Sequence, residues 1–150
     1  MRSIKGFKTI HGIHGVTAII LFRNKALLLK RRRFPFIANP GIWAFLSGGI
    51  ERAETPEHAL YREIEEETGL MRKDLAILQR CGKTAVFDKR KVIWHDRLYV
   101  LRSSSARIRL SMENAGFRWA SAKEIKGHVM YKNVFLDEGK IISLLERHTL

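Results

Sequence analysis

The sequence lacks the features that mark secreted and membrane-bound proteins. Cys81 is the single cysteine among 150 residues, so no disulfide can form within the chain, and this favours a reducing compartment. The longest apolar run, Val16 to Phe22, is far shorter than the ~20 residues that a membrane-spanning helix needs. No apolar signal region follows the basic N-terminus MRSIKGFKTI. We therefore expect a soluble cytoplasmic protein with no membrane partner.

Acidic residues are also scarce. Fifteen Asp and Glu stand against 28 Lys and Arg, which gives a formal net charge of +13 at pH 7. Such an excess favours polyanionic ligands such as nucleic acid, nucleotides or an anionic membrane surface, although many small basic proteins bind nothing through their charge. The composition leaves a homodimer open. At this length, with 45% hydrophobic residues, we expect one domain spanning residues 1–150.

Apolar and helical patterns alternate along the chain and predict a mixed α/β domain. Residues 13–22 and 26–32 predict a hairpin around Arg23-Asn24-Lys25, and residues 133–147 predict a closing amphipathic helix. The His95-Asp96 pair falls within a strand pattern and is expected to be structural. Further strands are expected over residues 43–46, 75–80, 84–87, 91–101 and 117–120.

One helix concentrates acid in this basic chain. Thr55 as N-cap, Pro56 at the first helical position and Gly69 after the last turn predict its two ends. Three glutamates on it are spaced i, i+3 and i+4 and share one face beside the apolar stripe, whereas Glu57 and Glu65 face away. The three are Glu63, Glu66 and Glu67.

These three carboxylates permit two interpretations. Crowded beside apolar surface, they would raise one another's pKa unless a cation neutralised them, and hard ions such as Mg²⁺ or Mn²⁺ prefer such oxygen ligands. Alternatively, the helix is a surface helix whose acids are bridged by Arg62. Spacing alone leaves both interpretations open.

The whole segment GGIERAETPEHALYREIEEETGL, residues 48–70, resembles the Nudix box GX5EX7REUXEEXGU, where U is a bulky aliphatic residue. The family's usual lead-in, Trp-x-Phe/Leu-Pro-Gly-Gly, corresponds to residues 43–48, with Leu46 in place of proline and Ser47 in place of glycine. Ala53 also stands where glycine is usual, and glycine commonly supplies positive φ or close approach to a ligand. Every specified position of the box is filled, by Gly48, Glu54, Arg62, Glu63, Ile64, Glu66, Glu67, Gly69 and Leu70.

The resemblance implies a Nudix-type α/β/α sandwich with a mixed β-sheet. It further implies a Mg²⁺-dependent pyrophosphohydrolase, with Mn²⁺ as the other candidate cofactor, that cleaves a nucleoside diphosphate linked to another group. Our first expectation for the substrate is a nucleoside triphosphate cut to monophosphate and pyrophosphate. The alternatives are RNA 5′ ends, dinucleoside polyphosphates or ADP-ribose, and a non-catalytic nucleotide- or RNA-binding module. Ala85 stands where ADP-ribose cleavers have proline, which counts against that substrate.

The resemblance also implies roles for individual residues. Glu63, Glu66 and Glu67 would be metal ligands, while Glu54 would support the loop or a second metal shell. Arg62 would orient the glutamates by salt bridges. Relatives draw the catalytic base from different places, and here the candidates are Glu63 and Glu113, the latter shortly before a Trp-containing strand.

The basic run Lys30 to Arg33 would lie near the substrate groove of such a fold. Strand alternation allows one parity, Arg31 with Arg33 or Lys30 with Arg32, to clamp phosphates, and the competing interpretation is a solvated strand end. Trp43 could stack a nucleobase, although most aromatic residues at such positions are core. Gly48 belongs to the loop on the phosphate side.

Overall fold

The computed structural model describes residues 6–32, 41–88, 91–127 and 137–150. Among these residues no helix combines the length and the apolar character needed to cross a membrane. The strands are β1 Lys8–Thr9, β2 Gly15–Phe22, β3 Lys25–Arg31, β4 Trp43–Ala44, β5 Leu46–Gly49, β6 Leu75–Asp88, β7 Val92–Ser103 and β8 Asn114–Ala120. The helices are α1 Pro56–Thr68, α2 Ala122–Gly127 and α3 Glu138–His148, with a 3-10 turn at Arg72–Asp74.

The predicted hairpin of β2 and β3 is confirmed. Phe22 pairs with Lys25, and the two residues between them, Arg23 and Asn24, have φ values of 46° and 65°. Two consecutive positive φ values are typical of the turn that matches the twist of adjacent antiparallel strands. The hairpin therefore places β3, which ends at Arg31, beside β2 in the sheet.

The strands form one mixed sheet. Strand β2 lies parallel to β7 and antiparallel to β3 and β5, while β8 pairs with β3 and β6 pairs with β7. The two strands predicted over residues 75–80 and 84–87 are a single strand, β6. Its pairing shifts register between Arg80 and Lys83, where Gly82 has a φ of 74°, and the strand continues beyond this irregularity.

Helices cover both faces of the sheet. Alternate residues of β2 enter two separate cores, with Ala18 and Ile20 on the α1 face and Ile19 and Leu21 on the face of α2 and α3. Leu60 and Ile64 of α1 belong to the first core, and residues of α2 and α3 to the second. The expected α/β/α sandwich with a mixed sheet is therefore confirmed.

Helix α1 begins and ends where the sequence predicts. The Thr55 side chain accepts a hydrogen bond from the His58 N–H at 3.1 Å, and Gly69 ends the helix with a φ of 75°. Helix α3 begins at Glu138 in the structure, whereas the prediction began at 133, and residues 133–136 lie outside the described residues.

Candidate active site

The carboxyl group of Glu63 lies directly against strand β5. A Cβ added to Gly48 would stand 2.1 Å from the Glu63 carboxyl carbon, so only glycine allows this approach. Its neighbour Gly49 is different, since a Cβ there would meet nothing closer than the His14 carbonyl oxygen at 3.9 Å. Neither glycine has a positive φ in the structure. The first position of the motif therefore needs glycine for space as long as the Glu63 carboxyl group lies against β5.

Arg62 joins the helix to the loop that precedes it. Its Nε and Nη2 donate to the two oxygens of Glu54 at 2.8 and 2.9 Å, and Nη2 also donates to the Gly49 carbonyl at 2.9 Å. Its Nη1 donates to Glu63 at 2.9 Å and to Glu66 at 3.4 Å. One guanidinium therefore fixes the loop backbone, the loop carboxylate and two of the three helix glutamates.

Glu54 is the most firmly held carboxylate of the site. Besides Arg62, it accepts from the Glu51 N–H at 2.9 Å and contacts the His58 ring at 2.7 Å. The hydrogen bond from Arg62, followed by that from Glu51, holds the pKa of Glu54 well below its usual range. The same contact raises the pKa of Arg62. Glu54 is thus ionised and serves as an anchor for the loop.

The three departures from the usual lead-in have different structural consequences. Ala53 has a φ of 65°, the left-handed conformation that glycine adopts without strain. Leu46 is 1% exposed and joins the core on the α1 face. Ser47 pairs with Thr17 in the sheet at ordinary φ. Only the substitution at 53 therefore strains the backbone.

Glu67 is a buried acid with one unsatisfied oxygen. Its side chain is 4% exposed, and its Oε1 accepts a 3.3 Å hydrogen bond from Nδ2 of Asn114. Among the described residues nothing donates to its Oε2. Burial, followed by the charge of Glu63, raises the pKa of Glu67 to about 8, although Arg31 and Asn114 oppose the shift. Such a group favours a proton or a cation beside it.

The other two helix glutamates are progressively more open to solvent. The Glu63 side chain is 15% exposed, and burial raises its pKa, with the charges of Glu66 and Glu113 adding to the effect against Arg62. The Glu66 side chain is 58% exposed. The three glutamates of the predicted face therefore differ in exposure: Glu67 is buried, Glu63 is mostly buried and Glu66 is exposed to solvent.

A small cavity of about 10 Å³, roughly the room that one water needs, adjoins Glu67. Within the described ranges, no three His, Cys, Asp or Glu side chains converge closely enough to hold a metal ion as they stand, and Glu63 is instead bound by Arg62. The donors nevertheless fit a hard divalent cation, because they are carboxylate oxygens and one of them is buried without a partner. The cavity is lined by Leu29, Arg31, Ala44, Phe45, Leu46, Ser47, Glu67 and Asn114.

The predicted substrate-binding residues lie on two faces of the sheet. Arg31 shares the parity of Leu27 and Leu29 and lies on the α1 face, close enough that its charge lowers the pKa of Glu67. Lys30 lies on the opposite face, with its Nζ 6.0 Å from the centroid of the Trp43 ring. Arg33 lies outside the described residues.

Trp43 packs more deeply than a purely solvent-facing stacking residue would. Its ring is half-buried and packs against the core on the α2 and α3 face, and a Cβ added to Gly116 would lie 3.9 Å from it. Glu113 is exposed and precedes β8, and its carbonyl accepts from the Arg32 N–H at 2.9 Å. Its charge helps to raise the pKa values of Glu63 and Glu67, so this acid lies near the site.

Sequence reasoning missed two buried polar contacts. Asn114, next to the expected Glu113, supports Glu67 across 47 positions of sequence, and no motif marks it. Asp96 is 7% exposed and accepts a 2.8 Å hydrogen bond from Thr17, and burial raises its pKa to about 6. His95 contacts the Ile10 carbonyl at 3.0 Å. These contacts give the His95-Asp96 pair structural partners.

Comparison with known proteins adds a family to this geometry. Residues 13–144 match the model of the NUDIX domain. An RNA pyrophosphohydrolase from Pseudomonas fluorescens is 35% identical over 131 residues, covering 73% of this chain and 77% of that protein. An RNA pyrophosphohydrolase from Saccharophagus degradans is 42% identical over 67 residues, covering 45% of this chain and 38% of that protein.

Solved structures share the fold. A MutT protein from Methanosarcina mazei superposes with a TM-score of 0.68 at 22% identity, covering 97% of this chain and 95% of that chain. An Ap4A hydrolase from C. elegans superposes with a TM-score of 0.69 at 20% identity, covering 91% and 94%. At these identities the likeness concerns the fold alone.

The NUDIX domain match and the identity to RNA pyrophosphohydrolases indicate a hydrolase acting on phosphoanhydride bonds, and the acidic helix on its sandwich agrees with that class. With its domain match covering most of the sequence, the chain belongs to the NUDIX family. Hydrolases of this family generally use divalent metal ions.

Proposed function

We propose that the protein is a pyrophosphohydrolase of RNA 5′ ends, which removes pyrophosphate from a 5′-triphosphorylated strand. The observation that carries this proposal is the 35% identity to an RNA pyrophosphohydrolase over 77% of that protein's length. The net charge of +13 supports it, because a long polyanion gains more from such a charge than a free nucleotide does. Free nucleoside triphosphate, the first expectation from sequence, contains the same bond and is the competing substrate.

A divalent cation would be held by the oxygens of Glu63, Glu66 and Glu67, and Mg²⁺ or Mn²⁺ fits these donors. The unpartnered Oε2 of Glu67 supports this assignment, because a buried acceptor without a donor is costly unless a ligand satisfies it. When bound, the ion would neutralise charge on the phosphates and lower the pKa of an attacking water.

The remaining work falls to side chains that bind, orient and accept protons. Arg62 would keep Glu63 and Glu66 in place, with Glu54 anchoring the guanidinium from the loop. Arg31, on the Glu67 side of β3, would contact the phosphates of the substrate.

We assign the proton acceptor to Glu113 in preference to Glu63. One oxygen of Glu63 already accepts a hydrogen bond from Arg62 at 2.9 Å, and the same carboxylate is a proposed metal ligand. Glu113 is exposed at the edge of the site, and within the described part of the chain it forms no salt bridge. Replacing Glu113 with Gln should lower kcat by about 10²-fold or more while metal binding is retained.

The substrate class is tested with a panel of compounds. The panel contains a 5′-triphosphorylated RNA oligonucleotide, nucleoside triphosphates, a dinucleoside tetraphosphate and ADP-ribose, with phosphate or pyrophosphate release measured in Mg²⁺, in Mn²⁺ and in chelator. A kcat/KM for the RNA at least about tenfold above that for the triphosphates is expected. A higher value for the free nucleotides would overturn the RNA assignment.

Two matched variants test the site itself. Glu67→Gln should abolish release of phosphate from every compound, because it removes a charge from the proposed metal face. Glu65→Gln removes the same charge from an exposed neighbour on the same helix and should leave turnover near that of the unmodified protein. If the unmodified protein releases phosphate from no compound, the non-catalytic binding module is the better description.

A further inference from the structure

A β-bulge gathers basic side chains on the far flank of α1. Arg80 and Lys83 are three residues apart in β6, so in a regular strand they would point to opposite faces. The register shift between them, at Gly82, pairs Arg80 with Tyr99 and Lys83 with Arg97. Since Tyr99 and Arg97 are two apart on β7, all four side chains point to the face that α1 covers.

Two of these side chains repel each other. Lys83 and Arg97 are direct cross-strand partners, so their Cβ atoms are about 5 Å apart, and like charges in this arrangement destabilise a sheet. Both are exposed, and among the residues that the structure describes neither has a salt-bridge partner. On the same face of β7 the flanking His95 and Tyr99 are buried. An anion bound here would offset the repulsion.

Arg72, in the 3-10 turn that precedes β6, extends the positive surface. The guanidinium carbon of Arg72 lies 4.4 Å from the centroid of the Tyr61 ring on α1. Arg80 donates to both oxygens of Glu57, at 2.7 and 2.9 Å, and this contact is the main reason why the pKa of Glu57 is lowered. Glu57, predicted to face away from the three clustered glutamates, is thus tied to this surface.

This basic surface consists of Arg72, Arg80, Lys83 and Arg97, and with Glu57 it carries a net charge of four minus one, or +3. Glu57 and Tyr61 of α1 contact this basic surface. They lie on one flank of the helix, and Glu63, which packs against Gly48, lies on the opposite flank. A helix with its side chains is roughly 10–12 Å wide. A strand of a few nucleotides would therefore reach from the catalytic carboxylates across α1 to the basic surface.

We propose that Arg72, Arg80, Lys83 and Arg97 bind the sugar–phosphate backbone of single-stranded RNA behind the 5′ end that is cleaved. The inference rests on the proposed function, since it extends the substrate beyond its terminal phosphates. Arginine and lysine side chains neutralise successive phosphates, and the stacked Tyr61–Arg72 pair offers a planar platform to a base. The Tyr61–Arg72 pair favours RNA over a membrane, because a base stacks on such a pair and a lipid headgroup does not.

The test reverses two charges without removing the like-charge pair. Lys83→Glu with Arg97→Glu keeps two equal charges opposite each other in the sheet and changes their sign. The matched control is Lys25→Glu with Lys123→Glu, two exposed lysines on β3 and α2 that alter the net charge equally. Circular dichroism and thermal unfolding establish that both variants fold.

Binding is measured by fluorescence anisotropy with a 5′-hydroxyl RNA of about 20 nucleotides, which offers no triphosphate to cleave. The double variant of the basic surface should bind about ten- to hundred-fold more weakly, with a salt dependence shallower by about 1.4 in log–log slope, or 0.7 per lost phosphate contact. The control variant should keep most of the affinity and the slope. Equal weakening in both variants would overturn the proposal, because only net charge would then matter.

Catalysis and vesicle binding separate the remaining outcomes. The ratio of kcat/KM for a 20-nucleotide triphosphorylated RNA to that for a triphosphorylated dinucleotide should fall about tenfold in the double variant and stay constant in the control. A protein that cleaves no RNA yet binds the 5′-hydroxyl strand through these residues would refute the proposed function while upholding the surface. Binding to phosphatidylserine vesicles without binding to RNA would refute the surface as an RNA site.

Discussion

At the scale of single residues, Glu67 combines two opposing demands. It is almost fully buried, yet one of its oxygens has no partner among the described residues, and its pKa is raised to about 8. A carboxyl group in this position weakens the fold unless it carries a proton or meets a cation. The divalent cation proposed for this site would remove the conflict by meeting the unpartnered oxygen.

The free energy of unfolding should report this conflict. In the folded state the pKa of Glu67 lies above its value of 4.5 in the unfolded chain, so the unfolded state loses the proton first. The contribution of Glu67 to the free energy of unfolding is complete below about pH 4.5, where the group is protonated in both states. This contribution is lost as the pH rises towards 8. Glu67→Gln should therefore increase the free energy of unfolding by about 2 kcal/mol at pH 7.

Urea unfolding at pH 5, 7 and 8.5, in the presence of chelator, measures this effect. The stability of the Gln variant should vary less with pH than that of the unmodified protein, while Glu65→Gln, at an exposed site, should follow the unmodified protein. A Gln variant less stable than the unmodified protein at pH 7 would show that the burial of Glu67 is not costly.

Gly48 and Gly49 are adjacent glycines with unequal tolerance to a side chain. Gly48→Ala should force the Glu63 carboxyl group away from β5, lowering kcat at least tenfold and the free energy of unfolding by about 1–2 kcal/mol. Gly49→Ala has open space and should change either quantity little. Turnover assays and urea titrations on the pair give the comparison. A Gly48→Ala enzyme with unchanged kcat would contradict the proposed placement of Glu63.

At the scale of elements, the loop before α1 is held in place from the helix. Arg62 reaches back from the second turn to Glu54 and the Gly49 carbonyl, so the loop and the helix form one rigid unit. The capping of α1 by Thr55 and its end at Gly69 could be predicted from sequence, because caps are local interactions. The contact of Arg80 with Glu57 could not, since it joins β6 to α1 across 23 positions and β6 is irregular on both sides of Arg80.

Ala53 is the strained point of this loop. Replacing it with glycine should increase the free energy of unfolding by about 1 kcal/mol, because glycine adopts its φ of 65° without the clash of a Cβ. Thermal and urea unfolding measure the change. Ala85→Gly, in β6 at ordinary φ, is the control and should destabilise the protein. A destabilising Ala53→Gly substitution would mean that the loop tolerates the strain better than its dihedral angles indicate.

At the scale of the whole molecule, the site joins parts of the chain that lie far apart in sequence. Glu67 on α1 meets Asn114 on β8, and Arg31 comes from the end of β3. The box residues could be predicted because their signal lies in one short pattern, and the sandwich was implied by the resemblance that this pattern carries. Asn114 and the Thr17–Asp96 contact could not, because only the completed sheet brings them together.

A divalent cation should stabilise the entire fold. Binding to the native state alone adds RT ln(1 + [L]/Kd), which is about 2.7 kcal/mol at a hundredfold excess over Kd, or several degrees in Tm for a domain of this size. Scanning calorimetry with MgCl2, MnCl2 and chelator measures the shift, and NaCl of equal ionic strength is the control. Glu67→Gln should reduce the shift. An equal effect of NaCl would indicate general screening and not a site.

The parallel pairing of β2 with β7 also sets the order in which the protein can be made. Thr17 and Asp96, joined by a hydrogen bond, are 79 positions apart, so β2 waits for most of the chain to leave the ribosome before its neighbour exists. During that interval the edge of β2 that β7 later occupies remains unpaired and invites association with other nascent chains. Slow translation or the lack of a chaperone would therefore reduce the yield of active protein, although the finished protein would be equally stable.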